Sequence, residues 1–169
     1  MKQRLGLVCN LFLAALVVAG GAFFIKNRGN KTGEKSAFLG LFDAETGKEY
    51  GAWEAPEGTE FAVEFIHSVN RSPVREMFRI EEYTIRQSAV RFSSFGAGMQ
   101  STLEEGQKLI RDGDAMIITG YTRTFASLDY IVGTVSDHVL FINDEQISLR
   151  EMCGRNARVA FRVKKGSKK

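Results

Sequence analysis

Two residues that could act together in chemistry lie close to each other in an otherwise apolar stretch. His67 and Glu76 fall within "FAVEFIHSVNRSPVREMFRI", residues 61–80, and His67 is one of only two histidines in the chain. A histidine oriented by a carboxylate is an arrangement that general bases use. Asn70 and Pro73 favour a turn between them, so the stretch is typical of a β-hairpin.

The register that this turn favours places the two polar side chains opposite each other. If Asn70 faces Pro73, then His67 faces Glu76 on the neighbouring strand. Because side chains alternate between the faces of a strand, the same face carries six apolar residues. These are Val63, Phe65, Val69, Val74, Phe78 and Ile80. The sequence therefore predicts a polar pair set in an apolar face.

Three interpretations of this pair are open. A hydrogen-bonded His67–Glu76 pair could fix the strand register, because a slip of one residue would leave both groups without a partner. The pair could instead be a functional site at the rim of the sheet, as an oriented base or a ligand contact. A metal site would need a third ligand, for which His138 is the candidate.

A second unusual stretch is "SSFGAGM", residues 93–99. Gly96 and Gly98 indicate backbone that needs positive φ or a close approach. No GK[ST] follows, so the stretch is not a phosphate-binding loop. It is either a strand end with a bulge or a binding loop beside His67. The predicted ligand or partner contacts are His67, Ser68, Pro73, Glu76, Phe95, Gly96 and Gly98.

Other chemistry finds little support in the sequence. The serines, aspartates and histidines lack the G-x-S-x-G context of a hydrolase triad. Cys153 is either a reactive thiol or a small apolar filler, and with Cys9 in the apolar N-terminal run we expect no intramolecular disulfide. Two isolated cysteines exclude a CxxC metal or redox motif. No cofactor and no metal are indicated.

The elements that must position these residues read as strands. Alternation with a period of two recurs from residue 37 to residue 163 and predicts about ten short strands. Turn signals every eight to twelve residues indicate an all-β fold, either an antiparallel sandwich or a small barrel. The one candidate for a short helix is "STLEEGQK", residues 101–108, although Gly106 weakens that prediction.

The N-terminal segment is predicted to span a membrane. Leu5 to Ile25 is a run of 21 residues without a charge, which is long enough to cross a bilayer as a helix. Lys2 and Arg4 give it the start of an export signal. Small residues at 19–22 could allow cleavage, but the apolar run continues beyond them and favours an uncleaved anchor. The predicted organisation is a transmembrane signal-anchor (1–25), a polar tether (26–36), a β domain (37–163) and a basic tail (164–169).

Charge divides the chain and limits its partners. Residues 36–150 hold 10 basic and 18 acidic residues, whereas both ends are basic. An acidic body argues against nucleic-acid binding, which needs a basic face. The basic ends either lie near anionic lipid or are simply solvated. More Lys and Arg follow the anchor than precede it, which favours a cytoplasmic β domain, whereas the export-like start favours an extracytoplasmic one. We expect export.

Three stretches resemble one protein family. "FIHSVNRSPVREMFRI", "RFSSFGAGM" and "HVLFINDEQISL" are similar to the HSV…P…E segment, the aromatic-Gly-Ala-Gly segment and the late strand of the small bacterial proteins called domain of unknown function 1850. The resemblance covers about residues 39–163. The corresponding positions are His67, Ser68, Val69, Pro73, Glu76, Gly96 and Gly98. It implies an exported β domain, often encoded beside tripartite (TRAP-type) transporters that use TAXI-type solute receptors.

Three hypotheses about function follow. The first is a non-enzymatic, membrane-anchored extracytoplasmic β domain that assists a TRAP-type permease or its TAXI-type receptor and contacts lipid through the N-terminal helix. The second is a small enzyme or ligand-binding domain that uses the His67–Glu76 pair, with His67 as general base. In the third, the pair only maintains register and the domain is a spacer.

Overall fold

The fold consists almost entirely of short antiparallel strands. The computed structural model describes residues 36–93, 95, 100 and 102–166, and these contain twelve strands and one short helix. In chain order they are β1 (Ala37–Asp43), β2 (Glu49–Glu54), β3 (Glu60–Ile66), β4 (Pro73–Glu81), β5 (Thr84–Phe92), β6 (Lys108–Asp112), β7 (Ala115–Thr119), β8 (Thr124–Phe125), β9 (Leu128–Ile131), β10 (His138–Ile142), β11 (Glu145–Ser148), α1 (Leu149–Cys153) and β12 (Arg158–Lys165).

The strands form two separate sheets. The smaller sheet has the order β2-β1-β12-β9, and the larger has the order β11-β10-β3-β4-β5-β7-β6 with β8 paired to β5. All the paired neighbours run antiparallel. The two sheets enclose one apolar core between them, so the architecture is a sandwich. The prediction of an all-β antiparallel fold is confirmed.

The main core joins the inner faces of the two sheets. Leu39 and Leu41 on β1 and Phe161 on β12 have no exposed surface, and they pack against apolar residues of the larger sheet. The ring of Phe61 on β3 lies 5.2 Å from that of Phe78 on β4 and 6.0 Å from that of Phe161. Burial of such aromatic surface is the main source of stability in a fold of this kind.

A second apolar cluster extends the inner face of the larger sheet. Its buried members are Val74, Val90, Phe92, Ile118 and Tyr121. On β4 the buried residues alternate with a single polar one, because Glu76 lies between Val74 and Phe78 on the same face. The carboxylate of Glu76 therefore lies between the two apolar clusters.

The elements differ from the predicted ones at turns. Residues 74–86 do not form one continuous strand, because Glu82 and Tyr83 adopt positive φ angles of 50° and 60° and form the turn between β4 and β5. Residues 102–108 form no helix. The helix is α1 instead, where the Ser148 hydroxyl accepts a hydrogen bond from the Glu151 N–H at 3.0 Å. This serine cap satisfies a donor in the first turn.

The predicted membrane anchor, Leu5 to Ile25, lies outside the described residues. Within the part of the chain that the structure describes, no helix has the length and apolar character needed to cross a membrane.

Candidate functional site

Glu76 is held by a partner from the opposite sheet. It lies on the inner face of β4, where Val63 on β3 and Val90 on β5 are its cross-strand neighbours. Its carboxylate accepts a hydrogen bond from the Tyr130 hydroxyl at 2.5 Å. Tyr130 belongs to β9 of the smaller sheet. The bond therefore joins the two sheets of the sandwich through their side chains.

Burial dominates the electrostatics of this pair. Desolvation raises the pKa of Glu76, and the hydrogen bond from Tyr130 only partly opposes that effect. The pKa of Tyr130 is raised far above its ordinary value, first by burial and then by the nearby carboxylate. The phenol thus remains a donor at neutral pH. Among the described residues, no cationic side chain forms an ion pair with Glu76.

The second histidine lies beside this pair. His138 begins β10, stacks on Phe65 at 5.0 Å between ring centroids and meets the Tyr130 ring edge-on at 5.8 Å. Its Nδ1 accepts the Gly133 N–H at 3.2 Å. Burial lowers the pKa of His138 and the positive charge of Arg150 lowers it further, against an opposing effect of Asp137. A neutral ring that accepts at Nδ1 carries its proton on Nε2.

The predicted facing of His67 and Glu76 is wrong. In the observed register Val63 faces Glu76, while His67 lies beyond the end of β3. Its Nδ1 accepts the N–H groups of Val69 and Asn70, each at 3.3 Å. Residues 67 and 72 close the turn through the His67 N–H, which donates to the Ser72 carbonyl at 2.9 Å.

The predicted register is wrong because the turn between β3 and β4 lies earlier in the chain than predicted. The predicted turn was centred on Arg71 and Ser72, whereas the observed loop covers residues 68–71 and is centred two residues earlier. The shift is an even number along the ladder, so the predicted face is preserved and only the pairing changes. The outer-face ion pairs follow the observed register. Glu64 pairs with Arg75 at 2.8 Å, and Arg79 pairs with Glu60.

The other predicted contact residues are distributed around one end of the sandwich. Ser68 is an exposed turn residue, and Pro73 opens β4. Phe95 is 47% exposed, with its ring 5.1 Å from that of Phe92. Gly96 and Gly98 lie outside the described residues. The binding roles of these positions stay predictions.

An exposed apolar surface, here called the rim, occupies this end. It consists of Ile66, Val69, Phe95 and Val135, of which Val69 is 62% and Val135 93% exposed. Ile66 ends β3 beside the first residue of β4, and its carbonyl accepts the Ser136 hydroxyl at 3.4 Å. Phe95 reaches the same end because it follows β5. Three separate loops therefore expose apolar side chains at the end of the sandwich where β10 begins.

The described residues provide no three-ligand metal site here, because no three of their His, Cys, Asp or Glu side chains are grouped as metal ligands. Cys153 on α1 is half-buried, and burial raises the pKa of its thiol to about 11, so it is protonated at neutral pH. The arrangement at this end is suited to binding, through its apolar rim and its neutral hydrogen-bonding groups.

A concavity lies at the end of the larger sheet opposite the rim, on the outer face of β4 and β5. It is an open cleft whose lining includes Arg79, Glu81, Arg86 and Thr124. Both arginines of this lining are already paired, since Arg86 pairs with Glu81 at 2.9 Å and Arg79 pairs with Glu60. Exposed pairs of this kind are typical of a solvated sheet face.

Comparison with known proteins identifies the family. Residues 61–149 match the family described as Domain of unknown function (DUF1850), which is more than half of the chain. The chain belongs to this family, and the predicted resemblance is confirmed. The match runs from β3 to the start of α1, so it includes Glu76, Tyr130 and His138. No curated protein and no solved structure matches the chain.

Sequence reasoning missed Tyr130 and Arg150. Tyr130 lies 54 positions from Glu76 and on the other sheet, and no local pattern links them. Its signal was a tyrosine at an inward position of a predicted strand, where a buried hydroxyl needs a partner. Arg150 follows a serine-capped helix start, and the Nε and Nη2 atoms of its guanidinium have no hydrogen-bond partner among the described residues.

Proposed function

We propose that this chain is a non-enzymatic, membrane-anchored accessory protein of a TRAP-type transporter. Its β domain would lie on the extracytoplasmic side of the cell membrane and contact the TAXI-type solute receptor or the permease. The single observation that supports binding is the rim, where three loops expose Ile66, Val69, Phe95 and Val135. The choice of partner comes from the family resemblance, because members of that family are often encoded beside TRAP-type transporters.

The rim has the character of an interaction surface. Isolated exposed apolar residues are common, but a group gathered at one end of a domain marks a binding site more often than chance. Val135 is almost fully exposed on a loop and contributes no core packing that would explain an apolar residue there. Loops carried on a rigid sandwich are also where binding residues concentrate.

The enzymatic hypothesis loses the pair on which it was based. A general base at His67 required Glu76 to orient its ring, but Glu76 instead accepts from Tyr130, and the His67 ring accepts from backbone N–H groups. A base must be within hydrogen-bond reach of its orienting group and of the proton that it removes. The geometry therefore favours binding over catalysis at these residues.

Co-purification tests the proposed partner. The full-length tagged chain is co-expressed with the TAXI-type receptor and the permease from the same organism, and each is quantified after capture from detergent. We expect recovery of the receptor or the permease with the wild type, and a strong loss with Val135→Asp. Leu109→Asp, an exposed apolar position on β6 outside the rim, is the matched control and should retain the partner. Equal recovery with both variants, or none with the wild type, would contradict the proposal.

Membrane orientation has a separate test. An alkaline phosphatase fused after Lys169 is active only when it is exported, so the proposed topology predicts an active fusion in a bacterial host. A green fluorescent protein fused at the same position is the matched control and should be dark. A bright fluorescent fusion with inactive phosphatase would place the β domain in the cytoplasm.

A further inference from the structure

Two side-chain nitrogens of Arg150 are buried without a hydrogen-bond acceptor in the described part of the chain. Its Nε and Nη2 atoms are both shielded from solvent, and neither has a hydrogen-bond acceptor among the described residues. These two nitrogens form one edge of the guanidinium, from which two N–H bonds point in parallel. A buried charged donor without an acceptor is unfavourable, so such groups are nearly always paired. Arg150 is the one described residue with this feature.

The neighbouring carboxylate does not serve this edge. Asp137 accepts the Ser148 hydroxyl at 2.5 Å and the backbone N–H of Arg150 at 3.0 Å. The side chain of Arg150 forms no ion pair within the described part of the chain. Asp137 is thus bound to the start of α1 and forms no ion pair with the guanidinium of Arg150.

His138 adds a second donor beside Arg150. It follows Asp137 directly, and its Nδ1 accepts the Gly133 N–H, so its Nε2 carries the remaining proton. No described acceptor binds that Nε2–H group. The ring is fixed by its stack on Phe65 at 5.0 Å. A carboxylate that accepts from both groups would form charge-assisted hydrogen bonds with them.

We propose that Arg150 and His138 form a binding site for a small carboxylate ligand at the rim end of the sandwich. The parallel N–H bonds of the Arg150 edge would receive the two carboxylate oxygens, and the His138 Nε2–H would donate to one of them. This site goes beyond the proposed partner binding, because it takes a small anion and involves no residue of the rim.

The geometry favours a carboxylate over a single-atom anion. A planar group with two oxygens matches the Nε and Nη2 edge with two parallel hydrogen bonds, one to each oxygen. The edge is shielded from solvent in the described conformation, so a ligand can reach it only when the side chains that cover it move aside.

Thermal unfolding of the full-length chain in detergent tests the site. Sodium succinate is the probe, and sodium chloride at equal ionic strength is the reference. We expect Tm to rise with succinate in a saturable way beyond the chloride reference, as binding to the native state requires. Arg150→Met should weaken the apparent affinity about tenfold or more. Arg155→Met, an exposed arginine just beyond α1, is the matched control and should respond like the wild type.

Two further measurements keep the test decisive if Arg150→Met folds poorly. His138→Phe retains an aromatic ring on Phe65 but lacks the donor, so it should bind succinate several-fold more weakly. Inorganic phosphate tests the ligand class, since a saturable response to phosphate without one to succinate would overturn the assignment of a carboxylate. A wild type that responds to succinate no more than to chloride, or an Arg150→Met variant that responds equally, would overturn the site. The first of these results would mean that a buried water satisfies the Arg150 edge.

Discussion

Tyr130 donates a hydrogen bond of 2.5 Å to Glu76 and so joins the two sheets of the sandwich. The carboxylate that it contacts lies on the inner face of β4, and desolvation raises the pKa of that carboxyl group. The pair is a hydrogen-bonded acid without a counter-ion among the described residues. Ionisation of Glu76 is therefore unfavourable at this buried position.

Replacing Glu76 by glutamine should not destabilise the domain at neutral pH. Glutamine removes the desolvated charge and keeps an oxygen that can accept from Tyr130, so the free energy of unfolding should be unchanged or increase by about 1 kcal/mol. Urea unfolding of wild type and Glu76→Gln checks this. Glu64→Gln, which breaks a partly exposed ion pair with Arg75, is the control and should cost less than about 1 kcal/mol. A loss above about 2 kcal/mol for Glu76→Gln would show that the carboxylate charge is required.

Removing the tyrosine hydroxyl should be more harmful than removing the charge. Tyr130→Phe leaves Glu76 without its observed donor, which should cost about 1–3 kcal/mol. Tyr50→Phe removes a similar bond to Asp43 near the surface and should cost less. Combining Tyr130→Phe with Glu76→Gln completes a double-mutant cycle that isolates their coupling. Additive effects of the two substitutions would argue against the bond.

The pH dependence of stability should identify Glu76 by its sign. The pKa of Glu76 is raised in the folded protein, so protonation of Glu76 favours folding. The stability that protonated Glu76 contributes is fully present below the unfolded pKa of about 4.5 and is lost as pH rises through the folded-state pKa. The stability of the wild type relative to Glu76→Gln should therefore increase as pH falls from 7 towards 4.5.

Asp43 supplies the opposite control. Hydrogen bonds, first from the Thr46 backbone, lower the pKa of Asp43 from 3.8 to about 2, so its contribution is present above pH 4 and is lost as pH falls towards 2. Stability of the wild type relative to Asp43→Asn should thus decrease in that lower range. Both differences are read from Tm as a function of pH. The same sign for both residues would contradict the assigned environments.

His67 should matter for the turn and only modestly for stability. His67→Ala removes an acceptor for two backbone N–H groups at 3.3 Å, and a solvent-accessible turn bond of this kind is worth about 0.5–1.5 kcal/mol. His67→Asn can accept from the same backbone and should recover part of the loss. Urea unfolding distinguishes the two. A cost above about 3 kcal/mol for His67→Ala, without rescue, would indicate a buried pair.

The sequence predicted which face of a strand a residue occupies, but not which residue it pairs with on the neighbouring strand. Alternation placed Phe65, Val74, Glu76 and Phe78 on one face, because the side-chain period of a strand is fixed. Register depended on the loop of residues 68–71, which the His67 ring stabilises through bonds that composition does not reveal. A shift by an even number keeps the faces within β3 and β4 correct and changes every pair, so the predicted pair was wrong. The predicted face holds within the two strands, whereas Val69 lies in the loop and is exposed.

The helix cap and the hydrogen bond between the sheets show the same contrast, because the first depends on neighbours in sequence and the second on distant residues. The serine cap of α1 has a local sequence signal, since Ser148 precedes Glu151 by three positions as in a capping box. The bond between Tyr130 and Glu76 was not readable, because it forms between sheets whose packing angle and offset depend on the whole core. The binding residues that came from the family resemblance stay predictions.

Site-specific photo-crosslinking tests the proposed function most directly. A photoactivatable amino acid at Val135, on the rim, is compared with one at Asp144, in the turn between β10 and β11 at the other end of the larger sheet. The account predicts that the full-length chain crosslinks to the co-expressed TAXI-type receptor or permease from Val135 and not from Asp144. Crosslinking from Asp144 as strong as from Val135, or from neither position, would contradict it.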